Sequence, residues 1–247
     1  MVYYAINLSI KFKRGTYMNK AIFWDFDGTL VHSQHLWSNA IYETLLHYIP
    51  DTPVTFEEIR ALTFDLYPWD TPDEDFTQIT GSRWWKHMEG RFSEKYVKAG
   101  VPLDTAQQAS THIREKILQK EKYHLYEDTL SVLGACRILG YHNYILSNNY
   151  PELPEMAEDL GLTSFFDEII VSGLVGYDKP RREIFQIALE TADFPEVCYM
   201  VGDNPVADIQ GARQMKIPGI LVHRGEHPDA DHCLDTLTQL LTIPGFR

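Results

Sequence analysis

The hexapeptide Asp25-Phe26-Asp27-Gly28-Thr29-Leu30 follows the apolar run Ala21-Ile22-Phe23-Trp24 and sets two carboxylates two residues apart. Along an extended backbone alternate side chains share a face, so Asp25 and Asp27 enter one site while Phe26 turns toward apolar packing. If a cation keeps Asp25 ionised, Asp27 is left free to be protonated and to serve a leaving oxygen. Gly28 permits a tight turn, and the amides around it can cradle an anion. Later stretches add Ser147-Asn148, Lys179-Pro180 and Gly202-Asp203.

This inventory suits phosphoryl transfer. A carboxylate is ionised at neutral pH and needs no base to attack, but it repels a phosphate dianion by roughly several kcal/mol at contact distance. Magnesium removes that obstacle, since it takes hard oxygen ligands and Asp25 together with Asp203 would supply two. The Ser147 hydroxyl and Lys179 ammonium would then stabilise the transferring phosphoryl oxygens. Gly28, Thr29, Asn148, Arg83 and Lys86 are the candidate substrate contacts.

Each residue alone also has an ordinary structural reading. Asp-Gly is a turn signal, and Asp203 or Asn204 ahead of Pro205 could cap a helix whose first-turn dipole Asp208 would suit. Ser147 could be a turn hydroxyl, Lys179 a solvated charge, and Arg83 and Lys86 an exposed helix face. Trp37, Trp84 and Trp85 read as helix packing before a stacking platform. Two acids and a glycine at the end of a buried strand have little structural purpose, and the ordered set of four stretches decides for chemistry. His32 and His35 receive no ligand role.

The elements that must position these groups are legible in the pattern. Ala21–Trp24 predicts a buried strand. From about residue 33 to 122 the spacing is helical, through Leu36, Ala40, Ile41, Leu45 and Tyr48, then Trp84, Trp85, Met88, Phe92 and Tyr96, then Ile113, Ile117 and Leu118. From residue 127 helix and strand alternate: strands at 144–146, 168–171, 197–201 and 219–222, helices at 130–139, 154–160, 181–191 and 205–215. Such alternation predicts an α/β fold, a parallel sheet covered on both faces, with the chemistry at the strands' carboxyl ends.

The chain has 247 residues, 44% of them hydrophobic, which is enough for one large core or two smaller ones. A net charge of -13 argues against a nucleic-acid polymer or an anionic membrane as partner. Cys136, Cys198 and Cys233 are widely spaced and suggest neither a disulfide framework nor a zinc cluster. No bilayer-length apolar run or signal peptide is evident, so a cytoplasmic location is expected. Residues 1–17, ahead of Met18, are expected to reflect a mis-set start codon or to be a dispensable extension.

In order, Asp25-Phe26-Asp27-Gly28-Thr29-Leu30, Ser147, Lys179-Pro180 and Gly202-Asp203 with Asp208 resemble the four motifs of the haloacid dehalogenase superfamily. The resemblance implies a Rossmann-like core, a phosphoaspartyl intermediate on Asp25, and magnesium held by Asp25, the Asp27 carbonyl and Asp203, with Asp208 supporting the metal site. The helical insert resembles the superfamily's C1 cap. The expected domains are a core of 18–31 and 128–247 and a cap of 32–127, with hinges near 31–36 and 123–127.

Leu146-Ser147-Asn148-Asn149, Gly176-Tyr177-Asp178-Lys179-Pro180 and Arg83-Trp84-Trp85-Lys86 are similar to the branch of nucleotide monophosphatases and poorly characterised hydrolases. His32 stands where phosphoglycolate phosphatases usually carry an acid. The expected activity is magnesium-dependent hydrolysis of a small phosphomonoester, such as a nucleotide monophosphate or sugar phosphate. The rivals are a phosphotransferase such as a sugar-phosphate mutase, a dehalogenase, and a non-catalytic binding protein on the same fold.

Overall fold

A computed structural model describes residues 18–71 and 74–246, so the expected extension at 1–17 lies outside the described residues. Strand β1 (Lys20–Trp24) forms because its apolar residues find partners on both faces. Ile22 and Trp24 enter one core while Ala21 and Phe23 enter another. The Trp24 indole N–H donates to Asn143 Oδ1 at 3.0 Å, which satisfies the one polar atom this burial would strand.

Labels run in chain order. After β1 come β2 (Val31–His32), β3 (His124–Leu125), β4 (Tyr141–Ser147), β5 (Glu168–Val171), β6 (Val197–Gly202), β7 (Gly219–Val222) and β8 (His232–Leu234). Six of them form one parallel sheet in the order β5-β4-β1-β6-β7-β8. The sheet grows outward in both directions from β1, the arrangement that opens a crevice at the strands' carboxyl ends.

Helices α1 (Leu36–Tyr48), α2 (Phe56–Leu62), α3 (Ser82–Lys98), α4 (Leu103–Ser110) and α5 (Ile113–Ile117) lie between β2 and β3. Thr55 and Glu58 close a capping box on α2, with Thr55 N–H donating to Glu58 at 2.7 Å and Glu58 N–H to Thr55 Oγ1 at 3.3 Å. The remaining helices are α6 (Thr129–Ile138), α7 (Leu153–Asp159), α8 (Ser172–Val175), α9 (Arg182–Thr191) and α10 (Gly211–Gln214). Val132, Leu133, Leu153 and Met156 pack α6 and α7 against the Ile22 and Trp24 face, and Ile184, Phe185 and Ala212 bring α9 and α10 to the opposite one. The α/β class with a Rossmann-like parallel sheet is therefore what the chain adopts.

The structure differs from the sequence reading in three places. The helical insert is bounded by strands, because β2 and β3 pair antiparallel at its base. The helix expected over 205–215 is a π-type turn at Pro205–Gln210 followed by the short α10. Strand β8 and a 3-10 segment at Leu237–Thr242 extend the sheet and its cover beyond the last strand expected. No helix among the described residues is long and apolar enough to cross a membrane.

Candidate active site

Three strand ends and a loop beyond a fourth strand meet at one cleft. Asp25 follows β1 and its backbone N–H donates to Val201 O in β6 at 2.9 Å, fixing the nucleophile candidate against the neighbouring strand. Ser147 ends β4, Asp203 follows β6, and Lys179 arrives on the loop beyond β5 and α8. The cleft is about 670 Å³ and is lined by Asp25, Asp27, Ser147, Asn148, Lys179, Asp203 and Asp208 among others.

Asp25 Oδ1 accepts from Ser147 Oγ at 3.0 Å and from Lys179 Nζ at 2.8 Å, while its Oδ2 has no hydrogen-bond partner among the described residues. Lys179 is 2% exposed and its second contact is Asp208 Oδ1 at 2.6 Å. Burial works against the ammonium, but Asp208 and Asp25 outweigh it and hold Lys179 above its ordinary value. Asp208 is fully buried and its Oδ2 accepts from Asn204 N–H at 2.9 Å, so both its oxygens are engaged. Burial pushes its carboxyl up and the Lys179 ammonium pulls it back.

Asp27 has a different environment. Its Oδ2 accepts from Asn149 Nδ2 at 2.7 Å, and its Oδ1 is buried without a partner. Burial first, then the charge of Asp25, pushes the Asp27 carboxyl up to about 7. Two neighbouring acids thus differ in surroundings, Asp25 paired with a lysine and Asp27 poised to carry a proton near neutrality.

Two glycines allow this crowding. Gly28 sits at φ 79°, and a Cβ there would lie 2.6 Å from Asp203 Cγ. A Cβ on Gly202 would collide with the Asp208 side chain, 2.6 Å from its Cβ. Asn204, with Pro205 next, caps the π-type turn by accepting from Val206 and Ala207 N–H, each at 3.0 Å. The capping reading of Asn204 therefore holds, and Asp203 is not spent on the cap.

One oxygen each from Asp25, Asp203 and Asp208 lies within 4.8 Å of the others, all three residues being buried. Hard oxygen ligands gathered this closely fit a small divalent cation. Among the described residues Asp25 Oδ2 and Asp203 Oδ1 have no hydrogen-bond partner and are the atoms available to it, whereas Asp208 is committed to Lys179 and Asn204. The other Asp203 oxygen accepts from Arg224 Nε at 2.9 Å and from its terminal nitrogen at 2.5 Å.

Several candidate substrate contacts are placed elsewhere. Thr29 is fully buried, and Gly28 lines a neighbouring hollow with His32, Tyr126 and Arg224. Asn148 reaches the cleft, but its amide is bound to the Lys179 backbone through both atoms, at 2.8 and 2.7 Å. Arg83 and Lys86 are exposed on α3; Lys86 pairs with Glu89 at 3.1 Å, and neither lines this cleft. They belong to the solvated face of that helix.

Sequence reasoning gave no role to Asn149, Arg224, Tyr67 or Trp69. Arg224 lies two residues past β7, so the strand-end rule could have found it. Nothing in the sequence marks Asn149 over Asn148, since the turn after β4 decides which amide faces Asp27.

A family model described as haloacid dehalogenase-like hydrolase matches residues 19–216. Phosphoserine phosphatase of Thermus thermophilus is 33% identical over 132 residues, 53% of this chain and 51% of that enzyme, so the match spans about half of it. Glyceraldehyde 3-phosphate phosphatase of Pyrococcus furiosus is 27% identical over 91% of this chain and 92% of its own length. A solved HAD-hydrolase of Bacillus subtilis shares the fold with a TM-score of 0.69 at 20% identity, over 90% of this chain and 97% of that one. The chain belongs to the haloacid dehalogenase-like hydrolase family.

Proposed function

We propose that this haloacid dehalogenase-like hydrolase cleaves small phosphomonoesters, with Asp25 as nucleophile and Asp27 as acid and then base. The observation that carries the reading is the division of labour between the two acids. Asp25 accepts from Lys179 and Ser147, whereas Asp27 is half-buried, has its buried Oδ1 unpartnered among the described residues, and is pushed up to about 7. Phosphatase activity in two relatives, on phosphoserine and on glyceraldehyde 3-phosphate by their names, supports it.

In the first step an Asp25 oxygen forms a bond to phosphorus as the bond to the leaving oxygen breaks, and Asp27 gives that oxygen its proton. In the second, Asp27 takes a proton from water as the water oxygen attacks the aspartyl phosphate, freeing inorganic phosphate and restoring Asp25. Lys179 and Ser147 stabilise charge on the transferring group. Asp25, Asp203 and the Asp27 carbonyl would hold a magnesium ion, which supplies charge neutralisation for the approaching dianion. Asp208 acts through Lys179, whose ammonium it keeps in place.

Residues 32–127 act as a cap on a core of 18–31 and 128–247 in this reading. His35, Leu36 and Trp37 from the start of α1 and Thr63, Tyr67, Trp69 and Asp70 beyond α2 form the wall facing the acids. A halide leaving group would need no proton from Asp27, which counts against dehalogenation. The test is release of phosphate from a panel of esters with and without magnesium. Release that needs magnesium and is lost in Asp25→Asn supports the reading, and Asp25→Asn retaining most of it refutes the reading. A requirement for an activating bisphosphate would assign a mutase.

A further inference from the structure

The lining of the cleft is chemically uneven, and its composition bears on what the leaving group can be. Five carboxylates line the cleft, those of Asp25, Asp27, Asp70, Asp203 and Asp208, while Lys179 is the one lysine or arginine among the described residues that does so. Both short contacts of Lys179 are already taken by Asp25 and Asp208. The cations that meet the phosphate are accounted for, and no lysine or arginine remains to pair with a second anionic group. A carboxylate on the leaving group would find Asp70, an exposed acid, on the same wall and no lysine or arginine to pair with.

The rest of the wall is aromatic. Trp69 stacks on Tyr67 with ring centroids 4.8 Å apart and planes at 13°, and Trp37 stands against both at 4.9 Å from Tyr67 and 6.3 Å from Trp69. Trp84 and Trp85 are 2% and 4% exposed and pack behind this group, whereas Trp37 and Trp69 are only partly buried and line the cleft. The platform is stiff: Asp70 Oδ2 accepts the backbone N–H groups of Leu66 and Tyr67 at 3.1 and 3.0 Å, and Pro68 lies between the stacked rings in sequence. A preordered aromatic surface binds a flat ring with little further loss of side-chain freedom. At about 670 Å³ the cleft has room for a ring system beyond the phosphate.

Resting on the phosphatase reading, we infer that the preferred substrate is a monophosphate whose leaving group is uncharged and carries an unsaturated ring, such as a nucleoside. The ring lies against Trp69 and Trp37 while its phosphate meets Asp25. Substrates whose leaving group carries a carboxylate are selected against chiefly by the lack of a matching cation, with Asp70 adding a like charge at the exposed rim.

The test compares a nucleoside 5′-monophosphate, glyceraldehyde 3-phosphate and phosphoglycolate on the wild-type enzyme with magnesium, alongside Asp25→Asn, Trp69→Leu and Trp69→Phe. The expected kcat/KM for the nucleoside monophosphate exceeds that for phosphoglycolate by about 100-fold or more. Trp69→Leu lowers the ratio of nucleoside monophosphate to glyceraldehyde 3-phosphate by about 10-fold, chiefly through KM, and Trp69→Phe restores most of it. Turnover that depends on Asp25 but favours phosphoglycolate, or a Trp69→Leu loss equal for all three esters, overturns this inference and leaves the phosphatase reading standing. Absence of any release that depends on Asp25 overturns both.

Discussion

Replacing Lys179 with methionine removes a fully enclosed ammonium and leaves its two partners facing each other. Lys179 Nζ lies 2.8 Å from Asp25 and 2.6 Å from Asp208, and oxygens of those two acids approach within 4.8 Å. At an effective dielectric of about 20, two unit negative charges at that separation repel by about 3.5 kcal/mol. Breaking a buried pair by deleting one member costs roughly 3–5 kcal/mol in general, so the two routes agree. Asp208, which burial already pushes toward its neutral form, relieves part of the cost by taking a proton.

The expected loss for Lys179→Met is therefore about 3 kcal/mol in urea denaturation. Adding Asp208→Asn removes the orphaned charge, keeps an oxygen for the Asn204 N–H, and returns at least about half of that loss. Activity stays at least about 1000-fold down in both variants, because the ammonium that meets the phosphoryl group is gone. A double variant no more stable than the single one, or a single variant that loses under about 1 kcal/mol, would refute the view that an ionic Asp25–Lys179–Asp208 chain organises the site.

Two further outcomes follow from neighbouring groups. Asn149→Leu removes the 2.7 Å donor to Asp27, and kcat falls by about 10- to 100-fold with KM little changed, as steady-state kinetics would measure. Asp178 is 6% exposed with Oδ1 unpartnered, and burial raises its carboxyl from 3.8 to about 6. A raised folded value means that protonation favours the fold, so the stability Asp178 lends at low pH is lost as pH rises through about 6. Asp178→Asn is accordingly more stable than wild type above pH 6, by up to about 3 kcal/mol, and the gap closes toward pH 4; a thermal-denaturation series checks this, and a gap independent of pH contradicts it.

The catalytic stretches were legible because each ends or follows a short apolar strand bounded by glycine or polar residues, and β1 is buried on both faces by residues that could do little else. Strand β8 was hidden because His232-Cys233-Leu234 is half-buried throughout and lacks an apolar run. The two-residue ribbon of β2 and β3 is too short for any periodicity. The helix expected over 205–215 shows residue pattern without path: Asp208 turns back to Lys179 and the local turn widens to let it. Arg83 and Lys86, exposed and away from the cleft, illustrate a related point, since a helix's polar face reads the same whether it meets substrate or water. Trp69 required the tertiary stack on Tyr67 to be seen at all.

The account turns on covalent participation of Asp25, and an acid-quenched reaction analysed by peptide mass spectrometry tests that most directly. In Asp27→Asn, where the water-activating base is missing, one phosphoryl group is expected to accumulate on the peptide containing Asp25 and to be absent in Asp25→Asn. Turnover of a phosphomonoester with no such adduct, or with the phosphoryl group on another residue, would contradict it.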